Sequence, residues 1–340
     1  MSGLFFVLIS LLVSCRPNLP TDEAAGLIFD KKHQDNFTKL TKLTNAEGIR
    51  IFWWNVAWGS FNGGGNLDNN LKALVLSRSR PDILILSEHK DVILGQETHQ
   101  ILNKAYPNRD FVTYSPSDIV GVKVYSILPI RREEKRALDW APPYETEDNK
   151  EIYRDYWKAN APSEVKYWDR AYALYSINFN GETYYFSPVH LLEPWKAILD
   201  VEGGPMMALR MFAGGDNPLA NQVRNLKAMI ARDFSGSRKG KPFLLLGDFN
   251  VPKSLYVVTP DLYKSLASGY EEIFPGAPDS FPSESSKQQT GKSPLPIDVK
   301  IDHVFLNSKL SPVGAAVLHM AGSDHYPIYA VIKPKKSWLW

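Results

Sequence analysis

A chain of 340 residues with 44% hydrophobic content is long enough for one large domain or two ordinary ones and can fill a substantial core, which argues against a disordered chain. Its 39 Lys and Arg against 37 Asp and Glu leave a formal charge of +2, too little for a broad field that captures polyanions. A single cysteine, Cys15, excludes an internal disulfide framework, and no repeat of fixed period is visible.

The segment 1–14 carries no charge, and its apolar run Leu4 to Val13 is too short to span a bilayer. It reads as the core of a signal peptide. Leu12-Val13-Ser14-Cys15 resembles the bacterial lipobox, whose cysteine thiol receives diacylglycerol. That resemblance implies a lipidated Cys15 and an exported protein anchored to a membrane and facing the periplasm or cell exterior. Pro17 and Pro20 argue against a helix that would bury the cysteine instead. Residues 15–46, rich in Asp, Lys, Thr and Asn, then read as a polar tether, 47–335 as one domain and 336–340 as a tail.

Within the domain, Ile49 to Val56 is a β-branched and aromatic run and predicts a buried strand. Leu67, Leu71, Leu74, Val75 and Arg78 follow at helical spacing until Pro81. Asp82 to Ser87 predicts a second buried strand with Glu88 at its carboxyl end. Further strands are predicted at 111–114, 121–127, 171–179, 182–189, 243–246, 299–306, 313–319 and 326–332, and a helix at 219–234 with Val223, Leu226, Lys227 and Ile230 on one face. Asn180-Gly181 marks a type I′ hairpin, since both central positions need positive φ. Strands with intervening helices predict a layered α/β fold. Three segments, 133–169, 200–218 and 283–296, read as loop-like insertions; the first holds Trp140, Tyr144, Tyr153, Tyr156, Trp157, Tyr167 and Trp168, best read as a satellite core.

The chemically informative residues lie at strand ends. Gly247 relieves the backbone at the exit of an apolar strand, and alternation points Asp248 and Asn250 the same way. Asp302 sits inside a β-branched run, where an unpaired carboxylate would cost several kcal/mol. Asp324 and His325 are adjacent at the start of the last strand, while His303 should face away from Asp302.

The ordered set Trp54-Asn55-Val56, Leu86-Ser87-Glu88, Val189-His190-Leu191, Gly247-Asp248-Phe249-Asn250, Ile301-Asp302-His303 and Ser323-Asp324-His325 resembles the endonuclease/exonuclease/phosphatase superfamily, across about residues 49–332. Gly121 to Ser126 with Leu128-Pro129-Ile130 resembles a strand-and-turn motif of the same group. Each motif is weak alone; six in order are specific. The resemblance implies an α/β sandwich of two mixed sheets with helices outside, and an Mg²⁺- or Mn²⁺-dependent phosphoester hydrolase.

It further implies that Glu88, with Asn55 through its amide oxygen, holds a hard cation that prefers oxygen. Asp248 and Asp324 complete the acidic surround. His325 is the implied general base, oriented by Asp302; His190 donates to the phosphate or leaving group, and Asn250 donates to a phosphate oxygen. Ala57 departs from the pattern, since many nuclease members carry a polar residue there. Zinc is disfavoured, because no Cys cluster and no His pair at helical ligand spacing exist. The expected partners are a phosphoester substrate, with nucleic acid ahead of phospholipid and sugar phosphate, and a membrane through the anchor; a monomer is expected. Sphingomyelinase-like or inositol-phosphate chemistry, or a silent lipoprotein that only binds, are the alternatives.

Overall fold

Two β-branched runs that have no polar face set the centre of the molecule. A computed structural model describes residues 26–29, 35–59, 65–114, 119–138, 170–191, 218–251, 260–273, 279–281, 283 and 299–335. Strand β1 (Ile49–Asn55) is buried at all seven positions and pairs in parallel with β2 (Ile83–His89). Burial on both faces explains the lack of alternation in their sequences.

The remaining strands are β3 (Asn108–Thr113), β4 (Gly121–Ser126), β5 (Ile130–Leu138), β6 (Arg170–Phe179), β7 (Glu182–His190), β8 (Phe243–Asp248), β9 (Glu271–Glu272), β10 (Asp302–Leu306), β11 (Leu310–Val317) and β12 (Ile328–Pro334). They form two mixed six-stranded sheets, ordered β11-β12-β1-β2-β4-β3 and β5-β6-β7-β8-β10-β9. The two sheets share one core, where Ile51, Trp53 and Ile85 meet Tyr175, Phe186 and Leu246. Helices cover the outer faces. On the first sheet lie α1 (Asp35–Thr44), α2 (Asn66–Leu76) and α3 (Gln96–Ala105); on the second lie α4 (Pro218–Asp233) and α5 (Pro260–Ala267).

The predicted helical stripes are the packed ones. In α2, Leu67, Leu71, Leu74 and Val75 are buried, and in α4, Val223, Leu226 and Ile230. Truncating one of these leucines to alanine costs about 2–5 kcal/mol by transfer and cavity formation. The hairpin also forms as predicted, with Asn180 at φ 53° and Gly181 at φ 79°. Among the described residues, no helix is long and apolar enough to cross a membrane.

The structure corrects three expectations. Part of the segment read as a tether is packed: Leu27 is buried, Phe29 bridges to Met320, and α1 buries Leu40 and Leu43 against the first sheet. The start of the 133–169 insertion belongs to β5, whose charges are paired, Arg136 with Glu134 and Asp233, and Glu133 with Arg238. Helices α3 and α5 were not expected, because α3 buries only Thr98 and Leu102 and so carries little apolar pattern. Cys15, the aromatic run from Trp140 to Trp168, the tail 336–340 and nearly all of the other two insertions lie outside the described residues.

Candidate active site

Strand direction gathers the predicted residues at one end of both sheets. The carboxyl ends of the parallel pairs β1/β2 and β7/β8 deliver Asn55, Glu88, His190 and Asp248. The antiparallel neighbours β12 and β10 start at that same end, where His325 and Asp302 lie. Register places Asp248 opposite both His190 and Asp302. Gly247 permits this closeness, since a Cβ there would stand 1.8 Å from the Val189 carbonyl oxygen. Gly322, at φ 120°, plays the same part before Asp324 by lying against the Leu67 backbone.

One side of the site is an acid-imidazole pair. His325 Nδ1 lies 2.8 Å from Asp302 Oδ2, and because a carboxylate only accepts, Nδ1 carries the proton. Nε2 therefore faces inward, 3.7 Å from Asp248 Oδ2. Asp302 is fully buried yet satisfied: Trp53 Nε1–H donates to Oδ1 at 2.9 Å, and its own N–H donates to Ser280 Oγ at 3.1 Å. Burial would lower the basicity of His325, but the charges of Asp302, Asp324 and Asp248 outweigh it and hold the imidazole well above its ordinary range.

The other side holds Glu88 and His190. Glu88 has φ 51°, unusual for a residue with a Cβ, and its N–H donates to Tyr114 Oη at 3.0 Å. Its carboxylate is more exposed than those of Asp248 and Asp302 and lies 3.5 Å from His190 Nε2, which is 3.7 Å from Asp248 Oδ2. Burial, then the positive charge of Arg170, keeps His190 well below the usual imidazole range, so the ring is neutral. Burial and the negative charge of Asp302 raise Asp248, and burial lifts Asp324 to about 6 against the pull of His325.

Asn55 joins the two sides. Its amide oxygen accepts the Ala57 N–H at 3.1 Å, which fixes the amide so that Nδ2–H donates to Asp248 Oδ2 at 3.0 Å and Glu88 Oε1 at 3.2 Å. It therefore orients the acids through its N–H groups, while its oxygen keeps a second lone pair beyond the Ala57 contact. Ala57 stands at φ 46°, so the departure at this position sits in a tight turn where its backbone, not its side chain, does the bonding. Asn250, at φ 50°, donates one amide N–H to the Leu191 carbonyl at 3.0 Å; an amide has a second N–H left to donate.

Asp248, Asp302 and His325 place ligand atoms within 4.8 Å of one another. Asp302 is committed to Trp53 and to orienting His325, which leaves Glu88, Asp248 and Asp324 as the acids that could hold a cation, Asp248 through the lone pairs left beside its contacts with Asn55 and Asn250. These offer oxygen only, which fits a hard divalent ion. The crowding that raises Asp248 and Asp324 is what such an ion would relieve. His303 faces away as predicted, stacked on Phe305 with ring centroids 5.5 Å apart.

Sequence reasoning missed Trp53, Ser87, Tyr114, Ser280 and Ser323, which hold the site from behind. Trp53 carried a signal, because a buried indole N–H needs an acceptor. Ser323 Oγ donates to the Asn55 carbonyl at 2.6 Å and accepts the His325 N–H at 3.2 Å, tying β1 to the last turn; nothing in the sequence announces that contact.

Known proteins share this architecture. Bacteroides thetaiotaomicron mannosyl-6-phosphatase superposes with a TM-score of 0.53 at 14% identity, covering 84% of this chain and 99% of its own. TDP2 from D. rerio, solved with a single-strand DNA product, gives 0.51 at 15% identity over 85% of this chain and 100% of its own. The human Nocturnin catalytic domain with bound sulfate gives 0.51 at 14% over 85% and 94%. At such identity these likenesses show the fold alone. No curated protein matches in sequence. The sequence model of the Endonuclease/Exonuclease/phosphatase family matches residues 52–325, which includes every one of the gathered residues. The chain belongs to the endonuclease/exonuclease/phosphatase family of phosphoester hydrolases.

Proposed function

We propose that the protein is an Mg²⁺-dependent phosphodiesterase, with nucleic acid its first candidate substrate, working outside the cytoplasm from a lipid anchor at Cys15. The observation that carries the catalytic part is His325, whose Nδ1–H is held by Asp302 while Nε2 faces Asp248 and the opposite wall of Glu88 and His190. A cation at Glu88, Asp248 and Asp324 would supply Lewis acidity at the phosphate oxygens. Once a bound cation shares the charges that keep it protonated, His325 in its neutral form would take a proton from the attacking water at Nε2, and Asp302 would stabilise the imidazolium that forms. Asn55 keeps Glu88 and Asp248 apart and oriented, and the free N–H of Asn250 faces phosphate. His190 Nε2–H donates to the oxygen on which charge develops.

A substrate panel of single- and double-stranded DNA, RNA, sphingomyelin, phosphatidylinositol phosphates and mannose 6-phosphate, run with Mg²⁺ and with chelator, tests this reading. Turnover of a nucleic acid that chelator abolishes supports it. Turnover of a phospholipid or sugar phosphate alone overturns the substrate, and turnover unaffected by chelator overturns the metal. Export is tested by palmitate labelling of the bacterial membrane fraction: label lost in Cys15→Ala supports the anchor, and label retained contradicts it.

A further inference from the structure

The second histidine is held by a tyrosine that no motif of the sequence marks. Tyr114 lies just past β3, fully packed between the sheets, with the Arg170 guanidinium 4.8 Å from its ring centroid. Its hydroxyl meets three groups at once: the Glu88 N–H at 3.0 Å, Ser87 Oγ at 2.9 Å and His190 Nδ1 at 2.7 Å. The Glu88 N–H can only donate, so the phenol oxygen accepts there.

Two proton arrangements remain for the other contacts. In one, Ser87 donates to the phenol, the phenol donates to His190 Nδ1, and the proton of His190 sits on Nε2. In the other, His190 Nδ1–H donates to the phenol and the phenol donates to Ser87, which leaves a bare lone pair on Nε2. Nε2 faces Glu88 Oε1 at 3.5 Å and Asp248 Oδ2 at 3.7 Å, both acceptors. A lone pair against two carboxylate oxygens is repulsive, whereas an N–H toward them is attractive. The first arrangement is the one that turns an N–H, and not a lone pair, toward these oxygens.

We propose that Tyr114 is a positioning residue that, by donating to His190 Nδ1, fixes His190 as an Nε2–H donor aimed into the site while the same oxygen anchors the left-handed turn at Glu88. The proposal rests on the reading of this end of the sheets as a phosphoester-hydrolysing site, and it specifies how one phenol sets the orientation of two residues from opposite sheets. A carboxylate in this position would instead favour a charged imidazole; a neutral phenol makes His190 a hydrogen-bond donor without that charge.

The test is long-range proton–nitrogen NMR on the full chain labelled with ¹⁵N-histidine, with His190 assigned by its loss in His190→Gln. Wild type is expected to show the proton on Nε2 and a pyridine-type Nδ1, and Tyr114→Phe, which keeps the ring, to lose that fixed pattern. On bis(p-nitrophenyl) phosphate with Mg²⁺, Tyr114→Phe should lower kcat about 10-fold with KM little changed, as removal of an outer hydrogen bond to an active histidine does. A wild-type His190 protonated on Nδ1, or a Tyr114→Phe protein with unchanged tautomer and kcat, overturns the proposal. The resting-state tautomer decides even if Tyr114→Phe does not fold. If the wild type hydrolyses no phosphoester, the reaction assignment fails on its own while the spectrum still decides the role of Tyr114.

Discussion

Buried acids occur in two settings in this molecule, and their partners differ. Away from the site each is matched to a protein cation: Asp82 forks onto Arg50, with Arg50 Nη2 at 3.1 Å and the Arg50 N–H at 2.8 Å, and Glu272 meets Lys300 and His303, the latter at 2.7 Å. At the site end, Glu88, Asp248 and Asp302 lie against two histidines, His190 and His325, with Asp324 beside them. The consequence is opposite in sign. Burial would raise Glu272, yet His303 and Lys300 hold it far below the usual carboxylate range, whereas Asp248 and Asp324 are pushed up. Matched acids hold the fold together; crowded ones are held by the fold at a cost that a bound cation would offset.

The largest effects should separate the two sets by what they damage. Glu88→Ala and His325→Ala are expected to lower kcat at least about 10³-fold, about 4 kcal/mol of barrier, with chemical denaturation midpoints little changed. Steady-state kinetics beside urea unfolding checks this, and a variant that loses stability rather than turnover would erase the distinction. Asp82→Ala should do the reverse, costing about 3–5 kcal/mol of stability by stranding Arg50 in the core, while the folded fraction keeps its turnover.

Glu272→Gln gives a smaller, pH-dependent loss. Because the folded carboxyl lies below its unfolded value near about 4.3, its contribution is present above that pH and is lost as pH falls toward the folded value. The stability gap between wild type and Glu272→Gln should therefore be full at neutral pH and shrink below about pH 4. A gap that widens on acidification would contradict the pairing. The smallest effect is electrostatic: Mg²⁺ at the crowded acids should lower the pKa of His325 toward neutrality, read as proton release on metal binding, since the charges that hold it up are then shared with the ion.

The strands and most of the site were legible because burial on both faces and strand-end motifs leave local marks. Asp248, Asp302 and His325 could be placed from their neighbours alone, and Gly247 explained itself by position. What escaped notice depended on contacts remote in sequence. β5 reads as charged loop because its Arg and Glu residues are satisfied by Asp110, Asp233 and Arg238 on other elements. The segment 26–29 reads as tether because Asn70, not its own sequence, binds both the N–H and the carbonyl of Ile28. The orientation of the Asn55 amide escaped notice because the Ala57 N–H that fixes it is a backbone group, invisible in composition.

Calorimetric titration of Mg²⁺ into wild type, Glu88→Ala and Glu272→Gln tests the central contrast most directly. Binding in wild type and in Glu272→Gln, with loss in Glu88→Ala, is the predicted result. Absence of binding in wild type, or binding that survives Glu88→Ala and fails in Glu272→Gln, would contradict the assignment of the crowded acids to a metal.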